Sequence, residues 1–103
     1  MTKKFYGKVF MDKDMLSKEG INYPIKIEYF KLFDEIRNNH KNKYGIEIIK
    51  SEFKNNNIII ENKEIREITT EENKIDEMLY LLKTNQVTPI TVNDIISDLT
   101  YNA

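Results

Sequence analysis

The sequence lacks several residues that common enzymatic and metal sites require. It contains no cysteine, only three glycines and a single histidine among 103 residues. Without cysteine the chain has no disulfide, no thiolate metal ligand and no cysteine nucleophile. Gly7, Gly20 and Gly45 are too few and too far apart to build a glycine-rich loop that binds phosphate. These absences favour a protein without a cofactor.

Long apolar runs are also missing. No stretch of the sequence has the length of about 20 apolar residues that a helix needs to cross a membrane. The lysines near the N-terminus are not followed by the apolar segment of a secretory signal peptide. We therefore expect a cytoplasmic protein with no membrane association, which agrees with the lack of cysteine.

The polar residues do not form a recognisable catalytic or metal-binding set. No serine lies in a Gly-x-Ser-x-Gly turn, and His40 stands among Asn and Lys, where a solvated imidazole is expected. Asp12 and Asp14 resemble part of a calcium loop, but an apolar residue takes the place of the next oxygen ligand. Asp94 and Asp98 are spaced for one helix face, where a capping role for Asp94 is the simpler interpretation. The sequence predicts no metal site and no enzyme.

What the sequence does contain is typical of one small folded domain spanning residues 1–103. Hydrophobic residues make up 40% and charged residues 32%, which suits a modest core under a strongly solvated surface. The charge is uneven, because residues 1–54 contain 12 Lys and Arg against 8 Asp and Glu, whereas residues 55–103 contain 4 against 9. Either the two halves neutralise each other, or one charged face meets a partner.

Alternating apolar residues predict four strands. Residues 4–11 form the first, and residues 25–37 form the second, although their apolar positions also fit a helical stripe. The β-branched and aromatic content of the second segment favours a strand with a bulge near Tyr29-Phe30. A third strand from Tyr44 and a fourth from Ile58 flank Asn55-Asn56-Asn57, which predicts a hairpin turn.

The last third of the chain changes to helical spacing. Thr69 and Glu72 predict a capping box at the start of one helix, and Asn85 is its expected end. Thr91 and Asp94 predict the start of a second, shorter helix. The expected core faces are Ile75, Met78, Leu79 and Leu82 in the first helix, and Val92, Ile95, Ile96 and Leu99 in the second. The predicted fold is α+β, an antiparallel meander of about four strands with two C-terminal helices packed on one face.

Three segments resemble a family of short uncharacterised proteins found in clostridia-like bacteria. They are Tyr44-Gly45-Ile46-Glu47-Ile48, the capped helix with Leu79, Leu81 and Leu82, and Asn85-Gln86-Val87-Thr88-Pro89-Ile90 leading into Asn93-Asp94-Ile95-Ile96. The resemblance covers about residues 25–100 and implies a strand, a charged strand, a Leu-rich helix and a Val-Ser/Thr-Pro turn. It implies no activity and no site residue.

Two classes of binding function fit these observations. Small size and missing catalytic groups favour a regulator or adaptor that binds another protein, and an inhibitor from a phage or mobile element would be a special case. An exposed tyrosine beside carboxylates is the expected contact surface, formed by Glu72, Asp76, Glu77 and Tyr80. The alternative is a nucleic-acid-binding module, in which aromatic rings stack on bases beside lysines. Its candidate residues are Phe5, Tyr6, Lys8, Tyr29, Phe30 and Lys31.

Overall fold

The computed structural model describes residues 1–34 and 42–101, which form an α+β fold on one antiparallel sheet. The strands lie in the order β1-β2-β3-β4, so the predicted meander is confirmed. The elements are β1 (Thr2–Met11), α1 (Lys13–Leu16), β2 (Ile25–Asp34), β3 (Lys43–Lys54), β4 (Asn57–Thr69), α2 (Glu72–Thr84) and α3 (Val92–Tyr101). The order ββββαα is therefore correct apart from the short helix α1.

The second segment is a strand, as its β-branched residues predict, at least over residues 25–34. Residues 35–37 of the prediction lie outside the described residues. The bulge expected near Tyr29 and Phe30 is wrong in its position, because it lies in the facing strand β1, where Tyr6 is the extra residue. Both strands of a pair bear bulky residues at this point, so the sequence pattern did not indicate which one holds the extra residue.

The turn between β3 and β4 is the predicted hairpin. Asn55 and Asn56 have φ values of 49° and 67°, the left-handed conformation that a type I′ turn needs at both central positions. Lys54 pairs with Asn57, so the loop contains only these two residues. Asparagine is one of the few residues that tolerates this backbone conformation, which explains why the turn could be located from the sequence.

A second irregularity lies near the other end of the same hairpin. Regular pairing stops at Ile65 and resumes at Thr69, so Gly45 faces the three-residue segment 66–68. Glu67 within this bulge has a left-handed φ of 56°. The bulge brings the backbone so close that a Cβ atom on Gly45 would lie 2.2 Å from the carbonyl oxygen of Ile65. Only glycine fits at this position without a shift of the bulge.

The connection after β1 contains the helix that the sequence analysis missed. Asp12 caps α1, since its carboxylate accepts a hydrogen bond of 2.9 Å from the backbone N–H of Met15. Leu16 is buried, and Gly20 ends the following 3-10 turn with a φ of 79°. Asp12 therefore has a structural role as the cap of α1.

The predicted capping box at the start of α2 is wrong. Thr69 is still the last residue of β4, and Glu71 is the residue that precedes the helix. The hydroxyl of Thr69 accepts a hydrogen bond of 3.1 Å from the backbone N–H of Glu71. Because Thr69 belongs to the sheet, its hydroxyl supports the bend into the helix instead of capping it.

The end of α2 is at the predicted residue. Asn85 is the C-cap, and Gln86 follows with a left-handed φ of 53°. The N–H of Gln86 donates to the carbonyl of Lys83 over 3.1 Å, and that of Val87 donates to the carbonyl of Leu82 over 2.9 Å. These paired bonds form a Schellman motif, which turns the chain towards Pro89 and α3.

The core combines strand and helix side chains as the apolar patterns predict. Tyr29 is fully buried, and its hydroxyl donates a hydrogen bond of 2.9 Å to the carbonyl oxygen of Val87. This bond satisfies a polar group inside the core and ties β2 to the chain between α2 and α3. The core cluster consists of Leu16, Ile25, Ile27, Tyr29, Tyr44, Ile46, Ile48, Ile75, Met78, Leu79, Leu82, Val87, Val92 and Ile96.

Candidate interaction surfaces

The candidate nucleic-acid residues divide between the two faces of the sheet. Side chains of directly paired residues share a face. Tyr29 and Lys31 lie on the face that α2 contacts, whereas Phe5, Lys8 and Phe30 lie on the opposite one, here called the outer face. Tyr29 has no exposed surface and cannot stack on a base. The six candidates therefore do not form one continuous binding surface.

On the outer face, aromatic rings and a lysine contact one another. The rings of Phe5 and Phe30 meet edge to face, with centroids 5.6 Å apart. The ammonium group of Lys3 lies 4.7 Å from the centroid of Phe30 and also donates a hydrogen bond of 3.0 Å to Glu47. Phe5 keeps half of its surface exposed, at 51%. A cation and two rings are present, but the cation already has a carboxylate partner.

Glu47 is a feature that sequence reasoning missed. The residue is 6% exposed although it lies on the outer face, and its carboxylate accepts hydrogen bonds from Lys3 and, over 3.1 Å, from the side-chain amide of Asn62. The alternation of Ile46, Glu47 and Ile48 places the carboxylate opposite the core. The sequence carries no signal for its burial, which depends on side chains from two other strands.

Ion pairs leave the outer face almost neutral. Lys26 lies 3.7 Å from Glu28, and Arg66 pairs with Glu64. Lys8 also lies on this face, and it has no ion-pair partner among residues 1–34 and 42–101. Because phosphate binding needs several uncompensated cations, this arrangement offers little attraction to a nucleic-acid backbone.

On the face that α2 contacts, Lys31 joins the sheet to this helix through two ion pairs. Its ammonium group lies 2.8 Å from Asp76 and 2.9 Å from Glu72 of α2. Burial lowers the pKa of Lys31, but the hydrogen bonds to Asp76 and Glu72 outweigh that effect, so the pKa is raised overall. One lysine thus holds two carboxylates, and the group retains one negative charge.

Together with the pair of Lys43 and Glu67, at 3.8 Å, these contacts join the positive half of the chain to the negative half. The unequal charge of the two halves is therefore partly neutralised within the molecule.

Tyr80 lies on the outward side of α2, beyond the Lys31 group. Its side chain is 62% exposed, as its position off the apolar stripe predicts. On a helix it neighbours Asp76, four residues earlier, and Glu77, three residues earlier. The predicted contact set of Glu72, Asp76, Glu77 and Tyr80 thus lies on one helix, with Glu72 and Asp76 already bound to Lys31. We call Asp76, Glu77 and Tyr80 the Tyr80 surface.

A shallow groove of about 330 Å³ borders the Tyr80 surface. It lies where the end of β4, α2 and α3 meet, and Leu81 at its side is 40% exposed. Its lining residues are Ile68, Thr69, Lys74, Glu77, Met78, Leu81 and Leu99. The groove is mainly apolar and shares Glu77 with the Tyr80 surface, so it extends the area available to a partner.

The remaining chemical candidates give no site. His40 lies outside the described residues. Among residues 1–34 and 42–101, no three His, Asp or Glu side chains are grouped so that they could hold a metal ion. Thr91 precedes α3 as predicted, with its hydroxyl in contact with Thr88. No helix in the described part of the chain is long and apolar enough to cross a membrane.

Comparison with known proteins identifies a family but no function. No curated protein and no solved structure matches the chain. The model of one family, described as a family of unknown function (DUF6514), matches residues 8–102, which is nearly the whole chain. The matched region includes the bulge at Gly45, the hairpin turn, α2 and α3. The chain therefore belongs to the DUF6514 family of unknown function.

Proposed function

We propose that this protein binds another protein through the Tyr80 surface and catalyses no reaction. One observation carries the proposal, namely that Tyr80 is 62% exposed on a helix beside two carboxylates. Tyrosine buries a large area at low entropic cost and is enriched where interfaces gain most of their binding energy. A tyrosine that only filled the core would lie on the apolar stripe of α2.

Charge indicates the kind of partner. Lys31 compensates one of its two carboxylate partners, and Glu77 has no ion-pair partner among the described residues. Lys83, three residues after Tyr80 on α2, offsets one of these charges, and the surface around Tyr80 keeps a small surplus of negative charge. A partner that presents lysine or arginine there gains complementary charge, and an arginine gains contact with the ring of Tyr80 as well. We infer that the partner is a protein with a basic contact region.

The same charges argue against nucleic acid as the ligand, because phosphates are repelled by the Tyr80 surface and meet a nearly neutral outer face. The exposed rings of Phe5, Tyr6 and Phe10 on β1 are what supports stacking on bases within the described residues.

The proposal also covers the packing of the two long helices and the cellular role of the protein. We infer that α2 and α3 cover the same sheet face, since both contribute to one core cluster. We further propose a cytoplasmic regulator or adaptor in a clostridia-like bacterium. Inhibition of a host complex by a mobile element is a special case of the same binding activity.

The first experiment isolates the tagged full chain from native lysate together with any protein bound to it. The second measures the affinity of the purified chain for the companion protein found. The variants Tyr80→Ala and Glu77→Lys should each weaken the purified complex at least tenfold, and raised salt should weaken the wild-type complex. Asp14→Lys on α1 is the matched control, because it makes the same charge change on a different element. Glu72 and Asp76 are unsuitable test positions, because their replacement also disturbs Lys31.

Three results would refute the proposal. One is a companion that binds both variants as tightly as the wild type. Another is the absence of any companion under gentle conditions. The third is salt-sensitive binding to a single-stranded oligonucleotide that Phe5→Ala weakens, which would establish the nucleic-acid alternative instead.

A further inference from the structure

The two edge strands of the sheet differ in their protection against pairing with another strand. β1 has lysines at positions 3, 4 and 8 and the bulge at Tyr6, and both features hinder the addition of a strand. β4 pairs regularly with β3 from Asn57 to Ile65, without proline or bulge. Its first residues, Ile58, Ile59 and Ile60, are 61%, 45% and 63% exposed. β4 is thus a regular edge from Asn57 to Ile65, apolar at its start and charged at Glu61, Lys63 and Glu64.

The hairpin determines which backbone groups of β4 are unpaired. In a two-residue hairpin the residues that flank the loop, here Lys54 and Asn57, exchange backbone hydrogen bonds. Backbone groups point to alternate sides along a strand, so every second residue after Asn57 also points to β3. The N–H and C=O groups of Ile58, Ile60, Asn62 and Glu64 therefore point away from the sheet, and β3 supplies no partner for them.

We propose that a second copy of this chain pairs with this edge, antiparallel to β4, with the two-fold axis at Asn62. In this register Glu61 lies opposite Lys63 of the second copy, and Ile59 lies opposite Ile65 of the second copy. Each contact occurs twice by symmetry. The pairing forms about six backbone hydrogen bonds and joins the two four-stranded sheets into one.

Charge selects this register over its neighbours. An axis at Glu61 places that carboxylate opposite its own copy, and an axis at Lys63 does the same with two ammonium groups, so both are disfavoured. An axis at Ile59 stacks the three isoleucines but pairs only residues 57–61 before each strand meets the turn of the other copy. The register at Asn62 gives the longest pairing with opposite charges in contact.

The inference does not depend on the proposed function, since it uses the edge of β4 and not α2. Loss of self-association and loss of partner binding can therefore be measured separately, with different variants.

A charge exchange tests the register. Sedimentation of the wild type should give a mass twice 12.3 kDa, in equilibrium with the monomer. Glu61→Lys and Lys63→Glu should each weaken the dimer at least tenfold, because each places like charges opposite each other. The double variant should restore it, while circular dichroism confirms that all four proteins are folded. A wild type that stays monomeric at millimolar concentration would overturn the proposal, as would single variants that dimerise normally.

The absence of cysteine allows an independent test by crosslinking. Asn62→Cys should form a disulfide-linked dimer on mild oxidation, since opposed residues in this pairing have Cα atoms about 5.5 Å apart, within the range that disulfides span. Lys8→Cys on β1 is the control: it should still dimerise through β4 but should form no disulfide-linked dimer. Rapid linking of Ile59→Cys without linking of Asn62→Cys would contradict the proposed register.

Discussion

Replacement of Gly45 by alanine gives the sharpest test of the bulge in β4. The added Cβ would lie 2.2 Å from the carbonyl oxygen of Ile65 and 2.9 Å from the Cα of Arg66. Both atoms belong to the backbone, so no side-chain rotation relieves the contact. Either the bulge or β3 must move by about an ångström, and this movement disturbs the pairing on both sides of Gly45.

The expected cost is large for so small a substitution. Overpacking in a well-ordered interior costs typically 1–3 kcal/mol. For Gly45→Ala we expect the upper value, about 3 kcal/mol, because the added Cβ meets backbone atoms that no side-chain rotation can move away. For a domain of this size, a loss of about 3 kcal/mol lowers the melting temperature by roughly 12 °C or more. Urea unfolding followed by circular dichroism measures the free energy of unfolding directly.

The other two glycines are internal controls. At Gly7 an added Cβ meets the side chain of Lys83 at 3.1 Å, which is flexible and can move, so we expect a change below about 1 kcal/mol. At Gly20 the space is open but φ is 79°, so alanine should cost about 1 kcal/mol from backbone strain. The reasoning is refuted if Gly45→Ala costs no more than Gly7→Ala.

Three further changes test the contacts that hold the helices to the sheet. Tyr29→Phe should cost about 1–2 kcal/mol, because it leaves a buried carbonyl without a donor. Burial raises the pKa of Tyr29, so the stability of the wild type is retained below about pH 10 and lost as the pH rises further. The urea midpoint should therefore fall less between pH 8 and pH 11 in Tyr29→Phe than in the wild type. Lys31→Met should cost about 1–2 kcal/mol in chemical unfolding, since Glu72 and Asp76 then repel each other without a cation. Gln86→Gly should raise the melting temperature by roughly 4–8 °C, because φ is 53° and glycine adopts this conformation without strain.

The parts of the fold that the sequence predicts well are those set by short-range rules. The Asn55-Asn56 turn follows from the tolerance of asparagine for a left-handed backbone, and the end of α2 follows from Asn85. The buried stripe of α2 follows from helical spacing alone. In each case the determining residues lie within a few positions of the feature.

Features that depend on a neighbouring strand could not be predicted in this way. The start of α2 was misplaced because Thr69 pairs with Tyr44, and this pairing keeps the threonine in the sheet. The burial of Glu47 depends on Lys3 and Asn62, which are distant in sequence. The same limit applies to the candidate sites, since no local pattern indicates that Lys31 holds two carboxylates of α2.

The clearest guide to function is therefore the set of charged side chains and backbone groups that have no partner within the described residues. Most charges of the outer face are paired within the chain, which leaves that face little to offer a charged ligand. Surplus negative charge remains beside Tyr80, and unpaired backbone groups remain along β4 at Ile58, Ile60, Asn62 and Glu64. Both features lie within residues 8–102, the part of the chain that matches its family, whereas of the exposed rings of β1 only Phe10 lies there and Phe5 and Tyr6 precede it. If the family shares one activity, protein contacts through α2 and β4 are better candidates for it than stacking on the rings of β1.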